Sequence, residues 1–322
     1  MIRYLGRRLG HGILLLFGVS FLLFLLLQAA PGEFLTEIRL NAQISPETIA
    51  ALRSRYGLDQ PLPVRYYLWL RSMAQGEFGY SFAYNAPAVM LLRPRAFNTL
   101  LLTVPALVIS WLIAVPMGVM AAARRGRWTN RLFSGGTSAL LALPDVLIAL
   151  VALLIALKTN LFPAGGMSSL DAQARGGWVQ FVDLIWHMVL PVGALVLGSV
   201  AILLRNVRAS VLDVLESTYM QAAEGHGLPQ YKLLFCYALP AAANPLISLF
   251  GLSVAMLLSG SILVEVVMSW PGMGPLLLEA ILSRDLFVVI DAVMLSTVLL
   301  VAGNLLADIL LCMVDPRIRM RS

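Results

Sequence analysis

The sequence predicts an all-α integral membrane protein with six transmembrane helices. Three observations carry that prediction. First, 59% of the 322 residues are hydrophobic and only 12% are charged. Soluble domains carry about 25% charged residues, so this chain lacks the polar surface to cover a soluble globule. Second, six apolar stretches approach the length of about 20 residues that a helix needs to cross a bilayer. Third, arginines flank these stretches at alternate ends, as the positive-inside rule requires.

The spans are expected at about 9–30, 97–123, 132–157, 184–204, 241–263 and 288–313. The first follows Arg3, Arg7 and Arg8 and ends at Ala29 and Ala30, which mimic a leader cleavage site. Its apolar run exceeds the 7–15 residues of a leader's apolar region, so a retained span is expected. A mixed polar segment follows, in which Ser45 can cap a helix beginning near Pro46. The second and third spans are joined by RRGRWTNR, and the third and fourth by a Gly-rich connection. This divides the chain into residues 1–30 (first span), an outer segment 31–95 and a five-helix core 96–322 with a polar loop at about 205–240. No repeat of 20–50 residues is present.

Orientation follows from the basic residues. Arg3, Arg7, Arg8, Arg124, Arg125, Arg127, Arg131, Arg205, Arg208, Lys232, Arg317, Arg319 and Arg321 all fall on one side if both termini are cytoplasmic. The net charge of +6 is therefore read as topology and not as nucleic-acid binding, because no aromatic-interleaved basic patch is present. Cys236 and Cys312 form no CxxC pair, and both are expected to be structural.

Several chemistries lack their residues. The only lysines, Lys158 and Lys232, follow Leu and Tyr, so no Gly-Lys phosphate loop exists. HExxH and GxSxG are absent, and His11, His187 and His226 lie on separate elements. These absences argue against a membrane-embedded enzyme.

The strongest positive signal is YMQAAEGHGLPQYKLLFCYALP, the long polar interruption among the later spans. Ala222 and Ala223 are small enough for a partner backbone to approach. Gly227 can end a short helix with φ > 0, and Pro229 suits the first turn of the next. Ahead of it, RNVRASVLDVLESTY continues the fourth span as an amphipathic helix, with Asp213 and Glu216 at helical spacing. An ordinary helix-turn-helix connection would share these features. A second candidate is SWPGMG, where Trp270, Pro271, Gly272 and Gly274 suit a tight re-entrant turn at the outer face. Third come carboxylates in apolar surroundings: Asp145 after Pro144, Glu265, Asp291 and Asp308. A carboxylate at the bilayer centre costs roughly 2.5–3.5 kcal/mol and should face water or the bundle interior. Asp145, Glu265 and Asp291 are candidates for lining a translocation path, and Asp308 for a helix-helix polar bond. Small residues such as Gly251, Ser253 and Gly260 permit close helix packing.

Read together, MIRYLGRRLGHGILLLFGVSFLLFLLLQAAPGE, RYGLDQPLPVRYYLWLRSMAQGEFGYSF, LFPAGG, HMVLP, LLRNVRASVLDVLESTYMQAA, SWPGMG, RDLFVV and VDPRIR resemble, in order and spacing, the B-type permease of dipeptide, oligopeptide and nickel ABC importers. The resemblance covers nearly the whole chain. It implies the type I importer fold and an inner-membrane location. It also implies that Gln221, Ala222, Ala223, Gly227, Leu228, Leu239 and Pro240 form the loop that docks a separate ATPase. The chain departs from the family pattern at Gln221, where the EAA glutamate is expected. Glu224 to Gly227 are less basic than usual, and Pro240 stands where Arg is more common. The implied partners are a second permease, two ATPase subunits that bind ATP and Mg, an extracytoplasmic binding protein and membrane lipid. The chain itself is expected to hold no cofactor or metal. Peptide import is the first expectation for its cargo and nickel or a metal chelate the alternative, with a membrane scaffold as a reading of another class.

Overall fold

A computed structural model describes residues 2–29, 47, 60–76, 78–81, 83–123, 128–169, 171 and 176–314. The expected cap at Ser45, the cluster Arg124, Arg125 and Arg127, and the basic tail lie outside the described residues.

The chain runs through α1 (Ile2–Ala29), α2 (Leu62–Ala74), strands β1 (Tyr80–Ser81) and β2 (Ala86–Pro87), α3 (Ala88–Ala123), α4 (Trp128–Leu141), α5 (Asp145–Thr159), α6 (Gly177–Leu215) and α7 (Thr218–Gly225). A short helical run with a π turn at Leu233–Ala238 leads into α8 (Ala243–Val267), α9 (Met273–Leu282) and α10 (Leu286–Val314). β1 and β2 pair antiparallel, with Tyr80 opposite Pro87 and Ser81 opposite Ala86. Among the described residues five helices are long and apolar enough to cross a membrane, and the bent pair α4 and α5, counted as one span, brings the number to six.

That pair differs from the expected straight span. The halves meet at 93°. Pro144 is the physical cause. It has no N–H to donate to a preceding turn, and it disfavours helical backbone at Leu143. The chain tightens, with Leu143 N–H on the Leu140 carbonyl at 3.1 Å, and α5 starts afresh from the Pro144 carbonyl, which accepts from Leu147 N–H at 2.9 Å. A second difference lies between the last two spans. The connection after SWPGMG contains α9, whose Leu276 and Ala280 bury against Ala88, Leu92 and Val288.

The core lies where α3, α5, α6 and α8 meet, with Leu102, Ala106, Ile148, Leu195, Leu203 and Leu257 buried in one cluster. Close approach depends on small residues. A Cβ at Gly118 would stand 2.7 Å from Val207 Cγ1, so α3 and α6 touch backbone to side chain there. Polar clasps join the same helices: the Ser110 and Ser199 hydroxyls pair at 2.8 Å, and Trp111 Nε1 donates to Ser253 Oγ at 3.0 Å. α1 stands outside this core against α10, where Arg8 Nε reaches Asp308 Oδ2 at 3.3 Å. Asp308 thus makes the helix-helix polar bond expected of it. α2 folds onto α1 through Phe24 and Tyr66, whose rings meet edge-on at 5.3 Å.

Candidate functional site

The loop between α6 and α8 is built by local rules. α6 continues beyond any bilayer requirement to Leu215. Ser217 turns to an extended backbone (ψ 149°) and starts α7. One face of α7 points inward: Met220 is only 2% exposed and packs with Val207, Val211, Leu233 and Leu234. Ala223, Leu228 and Leu239 are half-buried against this cluster. The other face is open. Tyr219 is 54% exposed, and Gln221, Ala222, Glu224 and His226 are also exposed. Gln221 Nε2 donates to the Glu216 carbonyl at 3.2 Å, binding α7 to the end of α6. Gly227 takes φ +79°, and its N–H reaches the Glu224 carbonyl at 2.9 Å, so the glycine ends α7 in the backbone region that a side chain disfavours. Pro229 precedes the next helical turn, and Pro240 is exposed at its far end. Of the loop residues singled out in the sequence, Gln221, Ala222, Gly227 and Pro240 face outward. Ala223, Leu228 and Leu239 hold the loop to its base.

The SWPGMG turn is held by contacts from far along the chain. Trp270 is fully buried, and its Nε1 donates to the Asn98 carbonyl at 2.9 Å. Asn98 Nδ2 returns a bond to the Pro271 carbonyl at 2.8 Å, and Thr99 Oγ1 accepts from Met273 N–H at 2.9 Å. Gly166 N–H reaches the Met268 carbonyl at 3.0 Å, which ties LFPAGG to the same turn. Two glycines are required by space. A Cβ at Gly272 would stand 2.4 Å from Glu265 Oε2, and one at Gly274 would stand 2.4 Å from the Ile262 carbonyl.

The three carboxylates proposed for a path are not brought together. Asp145 begins α5 at the break of the third span and is half-buried. Its carboxylate fits a niche between α6 and α8 that exists because two positions lack side chains. A Cβ at Gly198 would be 2.4 Å from Oδ1, and one at Gly260 3.1 Å from Oδ2. Glu265 meets no open space. It is 0% exposed, and its Oε2 accepts the Gly274 N–H at 2.7 Å, which ties one carboxylate oxygen to the turn, while Oε1 has no hydrogen-bond partner among the described residues. Asp291 is 1% exposed and borders a separate cavity between α1, α2, α3 and α10.

Sequence reasoning missed Asn98, Thr99 and Asp285. Asp285 is buried and accepts from Ser81 Oγ at 2.6 Å and from Val288 N–H at 3.4 Å, joining the β-hairpin to the start of α10. Its place three residues before Val288, at a helix start, was the available signal. Asn98 and Thr99 look like ordinary residues of an apolar helix, and nothing in the sequence marks their partners. Among the described residues no group of three or more metal-ligating side chains exists.

Comparison with known proteins agrees with this architecture. The family model "Binding-protein-dependent transport system inner membrane component" matches residues 114–320, and its N-terminal companion matches residues 1–103. The chain is 35% identical over 321 residues to the oligopeptide transport system permease protein AppB of Bacillus subtilis, covering 99% of both chains. It is 32% identical over 338 residues to the dipeptide transport system permease protein DppB of Escherichia coli K12, again covering 99% of each. The metal-staphylopine import system permease protein CntB of Staphylococcus aureus is 29% identical, with 99% of both chains covered. Among solved structures, a chain of the inward-facing MetNI methionine ABC transporter superposes with a TM-score of 0.58 at 16% identity, covering 70% of this chain and 97% of that one. The fold is therefore that of a type I ABC importer permease. With its six apolar spans and full-length relatives, the chain belongs to the binding-protein-dependent transport system inner membrane component family, as a multi-pass transport permease whose ATP is hydrolysed by separate subunits.

Proposed function

We propose that this permease imports di- or oligopeptides handed over by an extracytoplasmic binding protein. The observation that carries the cargo class is the end-to-end similarity to the oligopeptide and dipeptide permeases at 35% and 32% identity. A metal-chelate cargo is the second reading, and the staphylopine relative at 29% identity supports it.

In this reading the chain pairs with a second permease, and two ATPase subunits dock on the cytoplasmic side. Both termini and the α7 loop face the cytoplasm. The open face of α7, with Tyr219, Gln221, Ala222 and Glu224, receives one ATPase, while Gly227 and Pro240 frame the loop. Support comes from the exposure of these residues on a helix whose opposite face is anchored by Met220. The SWPGMG turn forms a braced lip at the outer mouth. Asp145 lines the path: it is a carboxylate at a broken helix, and broken helices within a membrane occur where backbone borders a cavity or a polar site. ATP binding then favours one of two packings of the pair, which requires the ATPases to bind the two states differently.

The test is co-purification of the tagged chain in mild detergent, followed by ATPase assay with peptide-loaded or empty binding protein. Two further subunit types and a rise in hydrolysis with the peptide-loaded form are expected. Stimulation by a metal chelate instead of peptide moves the cargo to the second reading. Purification of the chain alone overturns the docking assignment.

A further inference from the structure

The cavity beside Asp291 has features of a built site. Its volume is about 1010 Å³, and its lining is almost wholly apolar, with Phe17, Met73, Phe97, Met294 and Val298 among the walls. Two charged residues border it, Asp291 from α10 and Arg93 from α3. Asp291 is 1% exposed, and neither of its carboxylate oxygens has a hydrogen-bond partner among the described residues. The Trp69 indole N–H, which likewise has no hydrogen-bond partner among the described residues, is directed at this carboxylate without closing a hydrogen bond. Buried polar groups are nearly always satisfied, so a donor belongs at this position. Arg93 is exposed, at the rim.

Depth supports a particular occupant. Arg93 lies five residues into α3 and Asp291 five residues into α10, each roughly 8 Å from its helix start at 1.5 Å per residue. Those two starts lie at the same membrane surface, joined through the β-hairpin and Asp285. Val298 lies seven residues further along α10, roughly 10 Å deeper. On the opposite wall, Ile13 to Ser20 of α1 cover a similar depth. The site therefore presents an acidic side chain and a basic one near the headgroup level, above an apolar shaft leading towards mid-membrane. Its sides are flanked by exposed apolar residues, Phe17, Val89, Phe97 and Val298.

We propose that this cavity binds a phospholipid with a primary ammonium headgroup, from the leaflet on the hairpin side. The ammonium donates to Asp291, the phosphate meets Arg93, and an acyl chain fills the shaft between α1, α3 and α10. A purely anionic lipid would leave Asp291 unpaired, and a quaternary ammonium cannot donate to it. The site lies apart from Asp145, so the lipid is a resident of the fold and not cargo.

The test uses the full chain, reconstituted in vesicles of phosphatidylcholine with phosphatidylethanolamine or with phosphatidylglycerol. The protein is re-extracted in mild detergent, and retained lipid is read by native mass spectrometry. Phosphatidylethanolamine should be enriched roughly tenfold over phosphatidylcholine, the effect of one charge-assisted hydrogen bond. Asp291→Asn should abolish that preference while lipid of either kind still binds. Val298→Trp, which leaves Asp291 in place, should block the shaft and remove retained lipid altogether. Equal retention of all three lipids by the unaltered protein overturns the proposal. So does an undiminished ethanolamine preference in Asp291→Asn, or a shaft that no lipid occupies.

Discussion

The SWPGMG turn and the α7 loop both lie between membrane helices, yet they are held in opposite ways. The turn is fixed by residues more than 170 positions away: Asn98 and Thr99 of α3 bond Trp270, Pro271 and Met273. Its one tryptophan is fully buried, and its glycines are packed against oxygen atoms. The loop is fixed by its neighbours. Gln221 bonds the Glu216 carbonyl five residues back, Gly227 bonds Glu224, and Met220 alone is deeply buried among the residues of α7. A braced element keeps its shape whatever its surroundings. An element held on one face leaves the other for a partner.

Substitutions can break or sharpen this contrast. Trp270→Ala should have the largest effect. It removes a fully enclosed aromatic side chain and its hydrogen bond to the Asn98 carbonyl, at a cost of about 3–5 kcal/mol. A lowered unfolding midpoint in detergent, with loss of assembled complex, is the expected readout. Near-normal stability would mean the turn is not braced as described. Met220→Ala should come next, at about 2–3 kcal/mol, and should free α7 from its base. Hydrogen exchange is expected to rise at residues 218–228 while the spans remain protected. Ala222→Glu should have the smallest effect on stability, within about 0.5 kcal/mol, because the residue is exposed on a helix. It should nevertheless abolish binding-protein-stimulated ATP hydrolysis in the assembled importer. If Ala222→Glu destabilises the isolated chain as much as Met220→Ala does, the two faces of α7 are not distinct. Ala223 is a poorer probe, since it is half-buried against the same cluster as Met220, so a charge there would disturb packing and docking together.

Much of this was legible in the sequence, and the reasons differ by residue. The spans could be found because hydropathy depends on composition alone. Gly227 could be read because a helix ending in positive φ strongly favours glycine. The 93° bend at Pro144 was not legible, because an apolar run looks the same whether it continues straight or turns; proline marked the place and not the angle. Glu265 and Asp291 looked alike in the sequence, as acids in apolar helices. The fold separates them by their partners. Gly274 brings a backbone N–H to one oxygen of Glu265, whereas among the described residues no donor closes on either oxygen of Asp291. Such partners lie in other helices, and local pattern carries no record of them.

The length of α6 has a mechanical consequence. At 39 residues it is about 58 Å long, nearly twice the hydrocarbon thickness of a bilayer. Its last stretch, Ser199 to Leu215, contains no glycine or proline and leads directly into the turn before α7. Gly198, just above, lies beside Asp145. A stiff arm of this kind converts angle into distance: swinging Ser199–Leu215 by 10° about its upper end moves its tip about 4 Å, from the same rise per residue. A displacement of that size applied at α7 would reach the level of Asp145 as a change in tilt and not as a shift in register.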